Sequence, residues 1–544
     1  GDDAAEEGEE AGGEWADVMT LVKSQGSFSV PFPGLERGKV VTRFPPEASG
    51  FMHIGHAKAA MINDFFARYY DGKLIIRFDD TNPTKEREEF EVAIVSDLAR
   101  IGIKGDVLEY TSDYFPQLFD IGELLINEGK AYADLTPVDR MREMRMKREE
   151  SEYRSQPVLE SLRLFEEMKK GSEEGQKCCI RAKIDMKSNN GSLRDPILFR
   201  CNVDTPHART GTKYKCYPTY DLACPVVDSM EGVTHAFRSS EYSDREPQYY
   251  WMCDAVGLRR PFMCNFSRLN FMFTVMSKRK LQWFVDQKIV NGWDDPRFPT
   301  VQGVLRRGMT VRALRAFILS QGFSVNSTLM EWDKIWAVNK RVIDPIAPRH
   351  TAVAKSSAVT MTVAGAPKRD ARAVPKHKKN PDIGTKTVLY ADEVLLEAED
   401  AASLKEGEIV TLMDWGNVKI DSVDVNAMRG TFLPDNTDFK KSTKLTWLAK
   451  VPEVITVKLI EYDHIITKPK IEEEDNVEDV ANRDSEHFQE CFGDVNLKLL
   501  KVGDIIQFER RGYYICDKMF MDSDAPEKMM TLINIPDGKQ AKKK

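Results

Sequence analysis

Several features are scarce in this chain of 544 residues, and each scarcity excludes a class of protein. No apolar run approaches the roughly 20 residues that cross a bilayer, so no membrane-spanning helix and no membrane partner are expected. No signal peptide opens the sequence. Its first residue is Gly rather than Met, which reads as a processed or truncated chain lacking an N-terminal domain through which protein partners would bind. The nine cysteines are scattered and odd in number, with no CxxC pair. Adjacent Cys178 and Cys179 are poorly placed to share one metal or one disulfide. This usage fits a reducing intracellular compartment. There is no Ser/His/Asp arrangement for nucleophilic catalysis and no internal repeat. Cations are also short: 78 Lys and Arg against 86 Asp and Glu give a net charge of −8, which weighs against an RNA partner because phosphates want Lys and Arg.

The charge is uneven, however. Acid concentrates in Asp2 to Glu14 and in Glu472 to Glu486, and removing both leaves a surface near neutral or basic. Basic clusters occur at Arg306, Arg307, Arg312 and Arg315, and again at Lys368, Arg369, Arg372, Lys376, Lys378 and Lys379. Each suits an RNA contact and equally an ordinary solvated face.

A chain of this length needs several cores. Residues 1 to about 17 are acidic and poor in apolar side chains, and read as disordered or a linker. Strand-like and helix-like runs then alternate: Val40-Val41-Thr42, Ala57 to Tyr70, Leu74 to Phe78, Glu86 to Ile101 and Tyr114 to Glu128. That rhythm implies a parallel α/β unit. It breaks after residue 135, where charged helices (Val138 to Glu150, Leu159 to Lys170) and short strands intervene. It resumes at Tyr217, with a strand at Phe262 to Phe266. Residues 281 to about 342 are mostly helical. From Ile346 onward, short alternating strands separated by turn residues suggest two β-barrels. The basic terminus Lys542 to Lys544 has no evident role.

The stretch Arg43 to His56 organises the rest. It leaves a strand and opens a helix, a place where free N–H groups and the helix dipole meet phosphate. Gly55 lets a nucleotide approach the backbone, and His53 and His56 supply N–H donors for oxygens that gain charge. Alone, His-Ile-Gly-His is short and equally fits a solvated helix start. Much later comes Val275-Met276-Ser277-Lys278-Arg279.

Together these two stretches resemble the paired signatures of class I aminoacyl-tRNA synthetases. Arg77 to Pro83, Tyr217 to Asp221, Glu231 to Arg238 and Gly292 to Arg297 are similar to the glutamyl/glutaminyl subgroup, in its eukaryotic and archaeal glutamyl form. The resemblance spans roughly Glu36 to Asp517. It implies an α/β fold: a Rossmann-like catalytic domain with an α/β insertion that grips the tRNA acceptor end, a helical stem-contact domain and C-terminal anticodon-reading β-barrels. The layout expected is an acidic linker at 1–35, the catalytic domain at 36–135 and 215–290, and the insertion at 136–214. The helical domain follows at 291–345, the barrels at 346–525 and a tail at 526–544.

The implied activity is ATP-dependent ligation of L-glutamate to tRNA(Glu) through a glutamyl-adenylate, in the cytoplasm. Mg²⁺ is expected to travel with ATP. Some bacterial relatives hold zinc in the insertion, but this sequence has no such cluster and none is expected. Such chemistry is positioning plus electrostatic stabilisation, without an enzyme nucleophile. The resemblance gives His53, His56 and Lys278 catalytic roles. It gives Gly55, Arg268, Leu269, Met276 and Ser277 to ATP, although Leu269 fits core packing as well. Arg43, Asp79, Tyr220 and Arg238 fall to glutamate, Asp244 to the acceptor stem and Arg349 to the anticodon. Arg238 decides the substrate, because a γ-carboxylate wants a bidentate cation where glutaminyl enzymes carry a small uncharged residue. The alternatives are a glutaminyl-tRNA synthetase, against which Arg238 argues, and a non-catalytic tRNA-binding relative. Trp415 and Trp447 read as barrel core.

Overall fold

The run Leu74-Ile75-Ile76-Arg77-Phe78 lies in the central strand, Lys73–Phe78, of a parallel sheet, and all but Lys73 are buried. A strand covered on both faces needs that near-continuous apolar pattern. Val41–Phe44 flanks it in the register Val41↔Lys73, and Val107–Tyr110 flanks the other side in the register Ile75↔Val107. The computed structural model describes residues 13–539 except residues 27 and 86. It divides into two compact units, residues 1–270 with 315–328, and residues 271–314 with 329–544.

In the first unit a further parallel pair, His235–Ser239 with Phe262–Phe266, joins the edge of this sheet region, where Thr234 N–H donates to the Val41 carbonyl at 2.9 Å. The helix Ile54–Tyr69 supplies Met61, Ile62, Phe65 and Phe66 to the core, and Phe66 stacks on Phe237 at 4.6 Å. The inserted portion is an antiparallel sheet in the order Ala131–Asp134, Cys179–Ala182, Ile197–Cys201, Cys216–Pro218. The helices Phe115–Asn127 and Val158–Lys170 back it, with Phe115, Phe165 and Phe199 at their shared core. This sheet runs past both ends of the expected 136–214 insertion, because its outer strands are needed to pair the inner two.

Two expectations at the chain ends are corrected. Residues 14–23 are no linker: Glu14–Lys23 is a helix with Trp15 almost fully buried. Trp15 Nε1 donates to Asp64 Oδ2 at 2.7 Å, and Glu14 pairs with Arg315 at 2.5 Å. An indole buried against a carboxylate anchors the segment despite its acidic flank. Residues 1–12, read as linker, Glu86, read as a helix start, and Lys542 to Lys544 lie outside the described residues. The expected tail holds a strand, Met530–Ile535, inside a seven-stranded sheet.

In the second unit the helices Lys278–Asp286, Val301–Arg306 and Trp332–Ile343 precede two seven-stranded sheets. One sheet has Met361, Val394, Val418 and Trp447 in its core, and Trp447 Nε1 donates to the Met413 carbonyl at 2.7 Å. The other has Val457, Cys491, Phe508 and Leu532. Trp415 packs against the first core, as expected for a core tryptophan. The arginine cluster is largely committed to internal contacts. Arg306 pairs with Asp517 at 2.7 Å in the second unit, and Arg315 with Glu14 in the first. No helix among the described residues is long and apolar enough to cross a membrane.

Candidate active site

His53 is the residue before the helix Ile54–Tyr69, in extended conformation. Its Nδ1 accepts the N–H of Gly55 at 3.1 Å and of His56 at 3.4 Å, while His56 Nδ1 accepts the N–H of His53 at 3.1 Å. The rings stack at 3.6 Å. Two otherwise orphaned helix donors are thereby satisfied, a capping box built from imidazoles. Burial lowers both pKa values, with Arg268 adding repulsion, His56 to about 4. Both rings are therefore neutral. With each Nδ1 accepting, each ring proton sits on Nε2, which leaves two N–H donors at the start of a helix whose dipole also favours anions.

Lys58, just over one turn into this helix, was not singled out by the sequence pattern. It is 1% exposed, donates to Ser267 Oγ at 3.3 Å and has no carboxylate partner among the described residues. Burial lowers its pKa to about 8. A charged residue inside the run Ala57 to Met61 was the available signal. Arg268 ion-pairs with Glu241. Leu269 is buried, so its side chain serves the core.

A second cluster lies around Asp228, fully buried on the helix Tyr220–Met230. Its Oδ1 accepts from Arg43 Nε at 2.9 Å and Arg77 at 2.7 Å; its Oδ2 accepts from Tyr249 OH at 2.8 Å. Despite burial, the two guanidiniums hold its pKa well below the usual carboxylate range. Arg77 also pairs with Glu231 at 2.5 Å. The expectation for Arg43 is corrected here. Its remaining nitrogens donate to the Phe237 carbonyl at 3.1 Å and reach Cys224 Sγ at 3.7 Å. A guanidinium spent on internal partners cannot meet a substrate as a free cation; Arg43 braces the strand that leads into the site.

Arg238 differs. It is 7% exposed, and its buried Nε has no hydrogen-bond partner among the described residues. No carboxylate pairs with it among the described residues. Instead it sits among three rings, 4.8 Å from Tyr242, 5.6 Å from Tyr220 and 5.7 Å from Tyr249. Arg43 and Arg77 take the carboxylates of Asp228 and Glu231, and the buried Arg238 guanidinium is left with no carboxylate of its own among the described residues. Cation–π contacts offset part of that cost, and an anion would offset far more.

Asp79 and Asp80 do different jobs. Asp80 Oδ1 accepts the N–H of Ser112 at 2.8 Å, and its carbonyl is 2.7 Å from His207 Nε2. Among the described residues Asp79 accepts only from Thr81 Oγ1, at 3.0 Å, and burial raises its pKa to about 6. Asp244 is exposed, and its carbonyl receives Asn190 and Ser192 at 2.6 and 2.9 Å. It lines a cleft of about 490 Å³ with Arg145, Arg200 and Gln248, which brings the insertion and the second catalytic half together.

In the second unit Ser277 caps the helix Lys278–Asp286, accepting the N–H of Lys280 at 3.5 Å. Met276 is half-buried beside it. The first turn of that helix is basic with no acid, so its dipole and its side chains add positive charge together. Underneath, Lys280 is buried and donates to the carbonyls of Glu472 and Glu473 at 2.7 and 3.2 Å. Val275 and Leu281 share a core with Ile465, Ile466 and Val477. The acidic segment near Glu474 therefore supports the Lys278 loop from below. Arg349 is corrected as an anticodon reader: it donates to the carbonyls of Asp344 and Ala347 at 3.0 and 2.8 Å, and to Asp344 Oδ1 at 2.8 Å. It closes the C-terminus of the preceding helix, where orphan carbonyls and the dipole favour a cation.

Among the described residues no group of three or more His, Cys, Asp or Glu side chains could hold a metal ion.

Residues 39–345 match the catalytic domain of the class I tRNA synthetases (E and Q), and residues 347–433 and 444–517 match anti-codon binding domains of the same group. The chain is 51% identical over 522 residues to the cytoplasmic glutamate–tRNA ligase of Saccharomyces cerevisiae, covering 95% of this chain and 73% of that protein. It is 48% identical over 527 residues to the cytoplasmic glutamate–tRNA ligase of Arabidopsis thaliana, covering 96% and 73%. It is 51% identical over 520 residues to the bifunctional glutamate/proline–tRNA ligase of Mus musculus, covering 94% of this chain and 34%, about a third, of that relative.

Proposed function

This chain belongs to the class I tRNA synthetases of the E and Q type, and from that premise we propose that it joins L-glutamate to tRNA(Glu) at the expense of ATP. The carrying observation is Arg238, a buried guanidinium with no carboxylate partner among the described residues. Glutamate supplies the missing anion through its γ-carboxylate; glutamine, nearly isosteric and neutral, leaves the charge uncompensated. Asp79 receives the substrate ammonium, and Tyr220 forms a wall of the pocket.

The α-carboxylate of glutamate then attacks the α-phosphate of ATP, and pyrophosphate leaves. The Nε2–H donors of His53 and His56 meet phosphate oxygens as they gain charge, and the backbone at Gly55 lets ATP approach. Preorganised neutral donors of this kind act without reorganising during the reaction. Lys278 partners the departing pyrophosphate, with Met276 and Ser277 shaping its loop. Mg²⁺ enters as part of the ATP substrate, bound to phosphate oxygens. A terminal ribose hydroxyl of the tRNA next attacks the glutamyl carbonyl, and AMP leaves. The cleft at Asp244 receives the acceptor end, and the two seven-stranded sheets take the anticodon. The cytoplasm is the compartment, following the cytoplasmic relatives.

The test is ATP–pyrophosphate exchange with glutamate or glutamine, with and without total tRNA. Exchange with glutamate alone, strongest with tRNA, is expected. Exchange with glutamine would reassign the amino acid. Absence of exchange from folded, tRNA-binding protein would make the chain a non-catalytic relative.

A further inference from the structure

The strands Ile197–Cys201 and Cys216–Pro218 place two cysteines opposite each other, in the register Cys201↔Cys216. Neighbouring backbone bonds define what kind of pair this is. Asn202 N–H donates to the Lys215 carbonyl at 2.9 Å, and Thr219 N–H to the Leu198 carbonyl at 2.8 Å. Both bonds keep the same register. In an antiparallel ladder, hydrogen-bonded and non-hydrogen-bonded pairs alternate. Cys201↔Cys216 and Phe199↔Pro218 are therefore non-hydrogen-bonded pairs, and Pro218, which has no N–H to donate, agrees with that phase. In such a pair the Cα atoms stand about 4.5 Å apart with side chains on the same face. That separation lies within the roughly 4.4–6.8 Å over which a disulfide closes.

We propose that Cys201 and Cys216 form a reversible oxidation site, closing to a disulfide on exposure to a peroxide. Cys201 is half-buried and Cys216 is buried, so oxidant reaches Cys201 first. Its sulfur attacks a peroxide oxygen; the O–O bond breaks, an S–O bond forms and the released hydroxide leaves as water with the thiol proton. Cys216 sulfur then attacks the resulting sulfenic sulfur; the S–S bond forms, the S–O bond breaks and the hydroxyl leaves as water with the Cys216 proton. Both sulfurs are oxidised and both peroxide oxygens are reduced. A hydrogen bond from Cys216 holds the Cys201 thiol below its ordinary pKa, which favours the first step.

Little in the packing opposes closure. The Cys201 thiol donates to the carbonyls of Met168 and Gly175 at 3.5 and 3.3 Å. Both carbonyls keep backbone donors, from Gly171 at 3.0 Å and Cys178 at 3.1 Å. The bond would close the loop 202–215. That loop carries His207, beside the Asp80 carbonyl, and Arg209, which donates to Ser112 Oγ at 2.7 Å. Oxidation thus pins a loop already fastened next to Asp79. Cys178 is the competing partner: the register Cys179↔Arg200 carries it to the other flank of Cys201.

Peptide mapping by mass spectrometry of the whole chain, treated with hydrogen peroxide and then alkylated, tests the assignment. We expect a Cys201–Cys216 cross-link, reversed by dithiothreitol, with slowed hydrogen exchange in residues 202–215. The Cys178→Ser chain should still form it. In Cys216→Ser the link should vanish, and a 1,3-dione probe should trap Cys201 sulfenic acid. A Cys178–Cys201 link in the wild-type chain, or Cys201 driven to sulfinic acid with no link, would overturn the proposal.

Discussion

His53 and His56 each accept the other's backbone N–H, and their rings stack at 3.6 Å. One arrangement therefore serves fold and chemistry, because fixing each Nδ1 as acceptor turns each Nε2 into a donor. Removing His56 as His56→Ala breaks both. A lost cap costs about 1 kcal/mol. A lost transition-state donor costs roughly 100- to 1,000-fold in adenylate formation. Thermal melting and pyrophosphate exchange separate the effects: a small drop in Tm with a large drop in kcat is expected. Equal, modest losses in both would assign the pair to capping alone.

The pH profile distinguishes these histidines from Asp79. His56 stays neutral down to about 4, whereas burial raises Asp79 to about 6. Ammonium binding needs the charged carboxylate, so acid weakens it. Below pH 6 the KM for glutamate should rise, approaching tenfold per pH unit. Between pH 7.5 and 5.5, kcat at saturating glutamate should stay flat. A kcat that falls with an apparent pKa near 6.5 would show that the histidines titrate in the ordinary range.

Asp228 compensates Arg43 and Arg77 at once. Asp228→Asn leaves two buried guanidiniums short of one charge. We expect a loss of about 3–5 kcal/mol, read as a lower urea midpoint for the first unit. Arg43→Lys should lose less stability but should shift the KM for glutamate only slightly, because Arg43 braces the site without a free nitrogen to offer. A large KM effect with unchanged stability would restore Arg43 as a substrate contact.

Lys280 ties the helix behind the Lys278 loop to the carbonyls of Glu472 and Glu473. Lys280→Met keeps the apolar stem and removes the donor. The two carbonyls then lose a charged partner, a cost of about 1–3 kcal/mol. Hydrogen exchange should accelerate in residues 465–482, with the seven-stranded sheets unaffected. Unchanged exchange there would mean that the shared apolar core holds the segment alone.

The parts of this protein legible in its sequence are those set by local pattern. The alternation of apolar runs gave the parallel strands at residues 74–78 and 262–266, and turn spacing gave the strand-rich C-terminal half. The short stretches around His53, Lys278 and Arg238 stood out because their chemistry is compressed into a few residues. What escaped depends on partners far along the chain. Trp15 looks like part of an acidic linker until Asp64 meets its indole N–H. Arg43 looks like a free cation until Asp228 claims it. Lys58 looks like a surface residue of an amphipathic helix, yet it is buried with Ser267 as its donor's target. Met530–Ile535 looks like a tail because its neighbouring strands, Ile455–Tyr462 and Gly512–Lys518, sit well before it. No local window contains these pairings.

The claim on which the account rests is that Arg238 is a buried cation awaiting the γ-carboxylate of glutamate. Its most direct test is pyrophosphate exchange, with tRNA present, comparing kcat/KM for glutamate and glutamine in the wild-type chain and in Arg238→Cys. Losing a buried ionic partner should reduce the glutamate preference by about 2–5 kcal/mol, or more than roughly 30-fold, with most of the change in the glutamate value. An unchanged ratio in folded Arg238→Cys protein would remove Arg238 from substrate selection and contradict the account.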